Sequence, residues 1–181
     1  MHAMTQDNLR SAFGGESQAS MRYGIWAKTA KKEGFPNVER LFKCTGDAEK
    51  VHANLHFQAL KDVHGDFPVV SMAGFGIGNT SENLQNGIDG EVFESTEMYP
   101  AYIEVARMQG EDEAVKAMEY AIAAEKVHAD RYEEAKKAVD AGKDLDAEDI
   151  LLCPVCGYIT FDKNEGDCPI CGTKSKAYIA Y

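Results

Sequence analysis

The chain has 181 residues, of which 44% are apolar, and its formal net charge is -11. This length and composition predict one globular domain of ordinary size and a small second unit. The negative charge argues against nucleic acid or an anionic membrane as a partner, because phosphates are bound by a basic face. We find no apolar run near the roughly 20 residues that span a bilayer and no signal-peptide core at the start, so we expect a cytoplasmic protein.

The first half of the chain predicts two helices, because apolar residues recur there at three- and four-residue spacing. The first helix is expected over residues 5–33. The second is expected from Pro36, a residue that suits a helix start, to about Val63. Residues 64–80 are rich in glycine and include a proline, which favours a long ordered loop.

Two more helices are expected after this loop. The third begins at Asn79, with Glu82 three residues later as in a capping box, and Pro100 should kink it. A fourth runs from Glu111 to about Ala141. On the third helix we expect the inward positions to include Met98, Tyr102, Val105 and Met108.

The lengths of the links predict the topology. Short links make the first and second helices antiparallel neighbours, and likewise the third and fourth, while the long middle loop allows one crossover. This pattern predicts an all-α, ferritin-like four-helix bundle.

The segment EKVHA occurs twice, at residues 49–53 and 125–129. A Glu and a His three residues apart lie on one face of a helix. Further glutamates lie on the inward stripes of the first and third helices, and a buried carboxylate without a partner costs several kcal/mol. The bundle is therefore expected to bind cations through these side chains: Glu16, Glu49, His52, Glu91, Glu94, Glu125 and His128.

Charge balance indicates which metals these ligands suit. Two divalent ions bring four positive charges and two trivalent ions bring six, against five glutamates, which suits a redox couple better than a single zinc ion. Mixed carboxylate and imidazole ligands with Glu-x-x-His twice are typical of di-iron or di-manganese centres in a bundle. One such motif alone usually marks a solvated face, but two copies on apolar stripes argue against that interpretation.

Some neighbouring side chains are expected to stay outside the ligand set. His56, one turn after His52, should lie at the surface or behind the ligands. Tyr23 and Tyr99 either pack in the core or hydrogen-bond a ligand carboxylate. Cys44 is expected to be a buried thiol without a partner cysteine.

The last part of the chain contains two Cys-x-x-Cys segments, Cys153 with Cys156 and Cys168 with Cys171. Such a pair closes a tetrahedral four-sulfur metal site. A tail this short is below the about 40 residues that usually fold unaided, so the metal must stabilise it. Zinc is the structural alternative, but an iron that carries one electron has an evident role beside a redox centre. We therefore expect a bundle at 1–142, a linker at 143–149 and a metal-bound β/loop unit at 150–181.

These motifs together resemble the rubrerythrin family, in which a ferritin-like di-iron domain precedes a rubredoxin-like domain. The resemblance is found in GEVFESTEMYP (90–100), both EKVHA segments and both cysteine pairs. It implies that the seven Glu and His residues bind an oxo-bridged di-iron centre, with Glu49 and Glu125 as bridges. It also implies that the four paired cysteines bind a single iron.

The resemblance further implies a non-haem peroxidase that reduces hydrogen peroxide to water and protects against oxidative stress. Electrons would come from NAD(P)H through a separate reductase or a rubredoxin and would enter at the four-Cys iron. It also implies a homodimer in which one subunit's cysteine unit lies near the other's di-iron site. The surplus of ligands suggests that His52 and a carboxylate of the third helix alternate on one iron.

Two other functions stay open from the sequence. A ferritin-like bundle could oxidise and store iron. Alternatively, the protein could be an electron carrier or a zinc-ribbon interaction module in which the bundle metal is only structural.

Overall fold

The computed structural model of the protein describes all 181 residues. Four long helical rods form a bundle, and the third rod has three parts. In chain order the helices are α1 (Ala3–Glu33), α2 (Pro36–Ala59), α3 (Thr80–Phe93), a π-helical turn (Glu94–Met98), α4 (Tyr99–Gln109) and α5 (Asp112–Asp140). None of them combines the length and the apolar character that crossing a membrane requires.

The pairing of the helices confirms the predicted bundle. α1 packs along α2, and α3 packs along α5. The crossover between the two pairs has no regular structure until the N-cap residue Asn79. The Asn79 side chain accepts from the backbone N–H of Glu82, and the Glu82 carboxylate accepts from the backbone N–H of Asn79, so the predicted capping box is present. α2 is shorter than predicted, because the N–H groups of Leu60 and Lys61 turn to the carbonyls of Phe57 and Gln58, as in a tightened last turn.

The π-helical turn corrects the predicted inward face of the third rod. A kink was expected at Pro100; the structure shows a wider, π-helical turn just before the proline, which adds one residue to the helical repeat. Every inward position after it moves on by one residue. Met108, predicted to face inward, is therefore 78% exposed. The buried residues are Tyr99, Ile103 and Ala106.

Two of the three buried apolar clusters lie at opposite ends of the bundle, and the third surrounds the cysteines. The larger contains Tyr23, Trp26, Phe42 and Tyr132, whose rings contact one another. The smaller contains Leu9, Tyr99, Ile103 and Met118 among others. On each helical rod the chain passes from one cluster to the other through a short stretch of buried polar residues, which places a polar site in the middle of the bundle.

The last part of the chain forms a small three-stranded antiparallel sheet. Its strands are β1 (Leu151–Leu152), β2 (Ile159–Thr160) and β3 (Ile179–Ala180), in the spatial order β2-β1-β3. In the first pair Leu151 lies opposite Thr160, and in the second Leu151 lies opposite Ala180. This small sheet and the four cysteines confirm the rubredoxin-like unit that the sequence indicated.

The cysteine unit lies against its own bundle. Ile150, Leu152 and Ile159 belong to the larger core cluster. In the preceding linker, Asp144 accepts a hydrogen bond of 2.8 Å from the N–H of Asn37 at the start of α2. Arg40 Nε of α2 donates to the main-chain oxygen of Tyr181 at 2.9 Å. All of these contacts are made within one chain.

Candidate functional site

Six of the seven predicted Glu and His ligands converge at mid-bundle in two groups. In each group every residue offers one ligand atom, and these atoms lie within 4.8 Å of one another. All six residues are buried. The first group is Glu16, Glu49, His52 and Glu125, and the second is Glu49, Glu91, Glu125 and His128.

Glu49 and Glu125 belong to both groups because each presents one carboxylate oxygen to each side. Glu125 Oε1 lies 2.6 Å from His52 Nδ1, and its Oε2 lies 2.7 Å from His128 Nδ1. Glu49 Oε2 lies 3.0 Å from His52 Nδ1, and its Oε1 lies 3.6 Å from His128 Nδ1. Two carboxylates placed in this way can bridge two metal positions, and Glu16 and Glu91, each in one group only, can then serve as terminal carboxylates.

The donor atoms in this site fit a pair of metal ions. Several are fully buried and make no hydrogen bond, although such groups normally find partners. They lie close to one another without the alignment of hydrogen bonds, as expected when lone pairs point at common centres. The atoms are Glu16 Oε2, Glu49 Oε1, Glu91 Oε2, both carboxylate oxygens of Glu125 and His128 Nδ1.

The electrostatics of the site also favour cations. Burial, with the charges of the neighbouring glutamates, raises the pKa of Glu49 and of Glu125 well above the usual range. Burial acts the same way on Glu91, but the nearby imidazole of His128, 3.6 Å from its Oε2, outweighs burial and lowers the pKa of Glu91. For His128, burial lowers the pKa, while Glu125 and Glu91 raise it more strongly, to about 9. Without metal, the negative charge of these crowded carboxylates is therefore offset by bound protons. Metal cations at the same place would displace those protons and neutralise more of the charge.

Each terminal carboxylate is held by a buried tyrosine. The Tyr23 hydroxyl donates to Glu91 Oε1, and the Tyr99 hydroxyl donates to Glu16 Oε1. Of the two roles considered for these tyrosines, the structure therefore shows the hydrogen bond to a ligand carboxylate. Behind Tyr99 lies His56, which is fully buried rather than at the surface. Its four-residue spacing from His52 was the signal in the sequence that it shares the inward face.

Glu94 is the one predicted ligand that lies outside both groups. It opens the π-helical turn and is half-buried. Burial, with the charges of Glu16, Glu125 and Glu91, raises its pKa well above the usual range. The carboxylate of Glu94 is therefore close enough to interact electrostatically with the cluster, but its oxygens are not among the atoms that converge on the two centres.

The four predicted cysteines form a second site. Cys153 Sγ lies 3.6 Å from Cys171 Sγ, and Cys156 Sγ lies 3.5 Å from Cys168 Sγ, distances that suit the edges of a tetrahedron around one metal. The nearby Cys156 thiol and the backbone N–H groups of the turn lower the pKa of Cys153 to about 4. These four sulfur atoms can bind one iron or zinc ion.

The two sites are joined through the first cysteine pair. His52 Nε2 lies 3.0 Å from the carbonyl oxygen of Cys156, and His128 Nε2 lies 2.8 Å from that of Gly157. A carbonyl oxygen only accepts, so each Nε2 must carry the proton, and each Nδ1 faces the carboxylates. Gly157 has φ +80°, and a Cβ atom there would lie 2.3 Å from His52 Nε2. Only glycine permits this approach. No pattern in the sequence indicates this contact, because it joins residues far apart in the chain.

Cys44 is a buried free thiol, as predicted, and no other cysteine pairs with it. Burial raises its pKa strongly. It lies within the larger core cluster, where it packs as a small apolar residue.

Comparisons with known proteins agree with this architecture. The rubrerythrin family model matches residues 7–136. Rubrerythrin-2 of Clostridium acetobutylicum is 46% identical over 180 residues, which cover 99% of this chain and 98% of that protein. Nigerythrin of Nitratidesulfovibrio vulgaris is 34% identical over 177 residues, which cover 98% of this chain and 86% of that protein.

The fold is also that of a solved structure. Nigerythrin in its fully reduced, all-ferrous state superposes with a TM-score of 0.89 at 34% identity, over 100% of this chain and 88% of that chain. The Glu/His cluster and the four cysteines of this chain match the iron centres of rubrerythrins and nigerythrin. The chain therefore belongs to the rubrerythrin family.

Proposed function

We propose that this protein is a non-haem di-iron peroxidase that reduces hydrogen peroxide to water, with electrons delivered through its four-Cys iron. The observation that carries the proposal is the pair of hydrogen bonds between the two metal-facing imidazoles and the peptide carbonyls of Cys156 and Gly157. A storage protein has no need of such a link, whereas an enzyme that draws electrons from one centre to another does.

We assign the ligands from the geometry of the two groups. Glu49 and Glu125 would bridge the two irons, with Glu16 and His52 holding the iron on one side and Glu91 and His128 holding the iron on the other. When bound, the irons supply Lewis acidity and one electron each, which together with two protons reduce one peroxide to two waters. The cysteines Cys153, Cys156, Cys168 and Cys171 bind the single iron, in a unit that we propose spans 150–181 and follows the bundle (1–142) and the linker (143–149).

The chain offers a short path between the centres. It runs from the sulfur of Cys156 along that residue to its carbonyl oxygen, and then through the hydrogen bond to the imidazole of His52. His128 provides a parallel path from Gly157. Each imidazole donates with Nε2, so its orientation is fixed and its Nδ1 is directed at the metal position.

Glu94 has a separate role in the proposal. It and His52 would alternate as ligands of the same metal position, imidazole in the reduced state and carboxylate in the oxidised state, so that the charge of the ligands would follow the charge of the metal. The structure supports this assignment in one respect. His52 Nδ1 lies among the converging atoms while Glu94, opening the π-helical turn, lies outside them.

We place the protein in the cytoplasm, as a homodimer that takes electrons from NAD(P)H through a separate reductase or a rubredoxin. The dimer is supported by a run of large apolar side chains on the crossover that a single chain leaves exposed, an unusual feature for a monomer. They are Val70 at 84%, Met72 at 73%, Phe75 at 89% and Ile77 at 71% exposure.

The test is steady-state turnover. Iron-loaded protein with a reductase and NAD(P)H should consume hydrogen peroxide in equal amounts with the nicotinamide, over many cycles. Assembly into shells that load iron as mineral, with no sustained peroxide turnover, would instead show an iron-storage protein. A tail that binds only zinc would show the interaction module.

A further inference from the structure

A chain of buried hydrogen bonds runs from His56 to the first metal position. His56 Nε2 lies 2.7 Å from the Tyr99 hydroxyl, and that hydroxyl donates to Glu16 Oε1. All three side chains are fully buried. The other oxygen of the carboxylate, Glu16 Oε2, makes no hydrogen bond and lies 4.0 Å from His52 Nδ1, on the side of the metal position.

The direction of this chain follows from the groups themselves. An ionised carboxylate only accepts, so the single proton of the Tyr99 hydroxyl is committed to Glu16. The oxygen of that hydroxyl must then accept, and the group in position to donate is His56 Nε2–H. Hydrogen bonds in such a chain polarise and strengthen one another, so His56 strengthens the bond that Tyr99 makes to Glu16.

The other half of the bundle lacks this arrangement. Tyr23 donates to Glu91 as Tyr99 does to Glu16, and Tyr132 follows His128 by four residues as His56 follows His52. However, the Tyr132 hydroxyl makes no hydrogen bond. It packs edge-on against Tyr23, whose ring also lies beneath the guanidinium of Arg22 at 5.3 Å. The two metal positions therefore differ behind their terminal carboxylates.

We propose that His56 is a positioning residue for Glu16, acting through the Tyr99 hydroxyl, so that Glu16 offers only Oε2 to the metal on the His52 side. The chain thereby makes that metal position distinct from the one on the His128 side. Imidazole is needed because it reaches the hydroxyl with a donor from a helix position where an aliphatic side chain could only fill space.

The experiment measures metal affinity rather than activity. Full-length protein with iron in its four-Cys site and a chelator-emptied bundle site is titrated with Co²⁺, which binds similar nitrogen and oxygen ligands. The variants are His56→Leu, His56→Gln, which keeps a donor, and Tyr132→Phe as the matched control from the other half. Thermal unfolding of each metal-free variant checks that it folds, and His56→Gln remains informative if His56→Leu does not.

We expect His56→Leu to weaken one of the two Co²⁺ equivalents by about 10-fold or more, the effect usual for a group that orients a ligand. His56→Gln should recover most of that affinity, and Tyr132→Phe should bind both equivalents normally. Combined with Glu16→Gln, His56→Leu should add little further loss. Combined with Glu91→Gln, the two losses should add, because those residues share no partner.

Several results would overturn the proposal. Normal affinity for both equivalents in His56→Leu would do so, as would an equal loss at both, or as strong a coupling to Glu91 as to Glu16. The inference rests on the metal centre of the proposed function but not on peroxidase activity. A protein that binds two Co²⁺ ions and shows the coupling, yet does not turn over peroxide, would therefore refute the enzyme and not the role of His56.

Discussion

His52 donates from Nε2 to the carbonyl oxygen of Cys156 across 3.0 Å, while its Nδ1 faces the carboxylates of the bundle. One imidazole thus belongs to the metal site and also contacts a cysteine of the second site. Both contacts require that the first cysteine turn lie directly on the bundle, and Gly157 is the residue that allows it.

Replacing Gly157 by alanine tests this close approach. The Cβ atom of the alanine would lie 2.3 Å from His52 Nε2, and the residue would have to keep φ +80°, which side chains disfavour. We therefore expect a loss of about 1–3 kcal/mol in unfolding free energy and slower electron transfer between the centres. Gly172→Ala is the matched control, because Gly172 has φ +74° with no atom within 4 Å of the added Cβ. Chemical denaturation and the rate of electron transfer measure the two effects. Equal transfer rates in both variants would refute the path.

The bridging role of Glu125 predicts a different loss from that of a terminal carboxylate. Because one oxygen of Glu125 faces each group, Glu125→Ala should lower the affinity for both bundle metals by more than about 100-fold. Glu16→Ala should lower the affinity chiefly for one of them. Metal analysis counts the bound iron, with the four-Cys iron as internal reference. Glu97→Ala, at an exposed position of the π-helical turn, should keep both metals. Retention of one tightly bound metal in Glu125→Ala would contradict the bridge.

The pKa of His128 predicts opposite pH trends with and without metal. Its folded value of about 9 lies above its usual 6.5, so the metal-free folded chain holds the proton more tightly than the unfolded chain. This contribution, on the order of 3 kcal/mol, is complete below pH 6.5 and is lost as the pH rises to about 9. Metal-loaded protein should gain stability over the same range, since its ligands must be deprotonated. Chemical denaturation at several pH values tests both trends, and parallel curves would contradict the account.

The proposed exchange of His52 and Glu94 predicts two ligand sets in two oxidation states. Crystals of the ferrous protein should have His52 bound and Glu94 free, as the positions of these residues in the present structure suggest. Crystals of the ferric protein should have Glu94 bound and His52 released. Unchanged ligands in a matched pair of such structures would exclude the exchange.

The comparison of sequence and structure shows which features local pattern can predict. Helical spacing and the doubled Glu-x-x-His indicated both metal groups, since each ligand's direction follows from its own helix. The inward face after Glu94 was predicted one residue out of phase, because a π-helical turn depends on tertiary packing. The placement of the cysteine turn on His52 and His128 depends on contacts between distant segments, which spacing along the chain does not encode. The position of His56 on the inward face could be predicted from its spacing to His52, but its hydrogen bond to Tyr99 on another helix could not.

Anaerobic stopped-flow of the fully reduced, iron-loaded protein with hydrogen peroxide tests whether the four-Cys iron supplies electrons to the di-iron centre. The absorption of the ferric four-Cys centre and that of the di-iron centre are followed together. We expect fast oxidation of both centres, repeated over many cycles with an electron donor and abolished by Glu94→Ala. A four-Cys centre that stays reduced, or oxidation no faster than that of free ferrous iron, would contradict the proposed function.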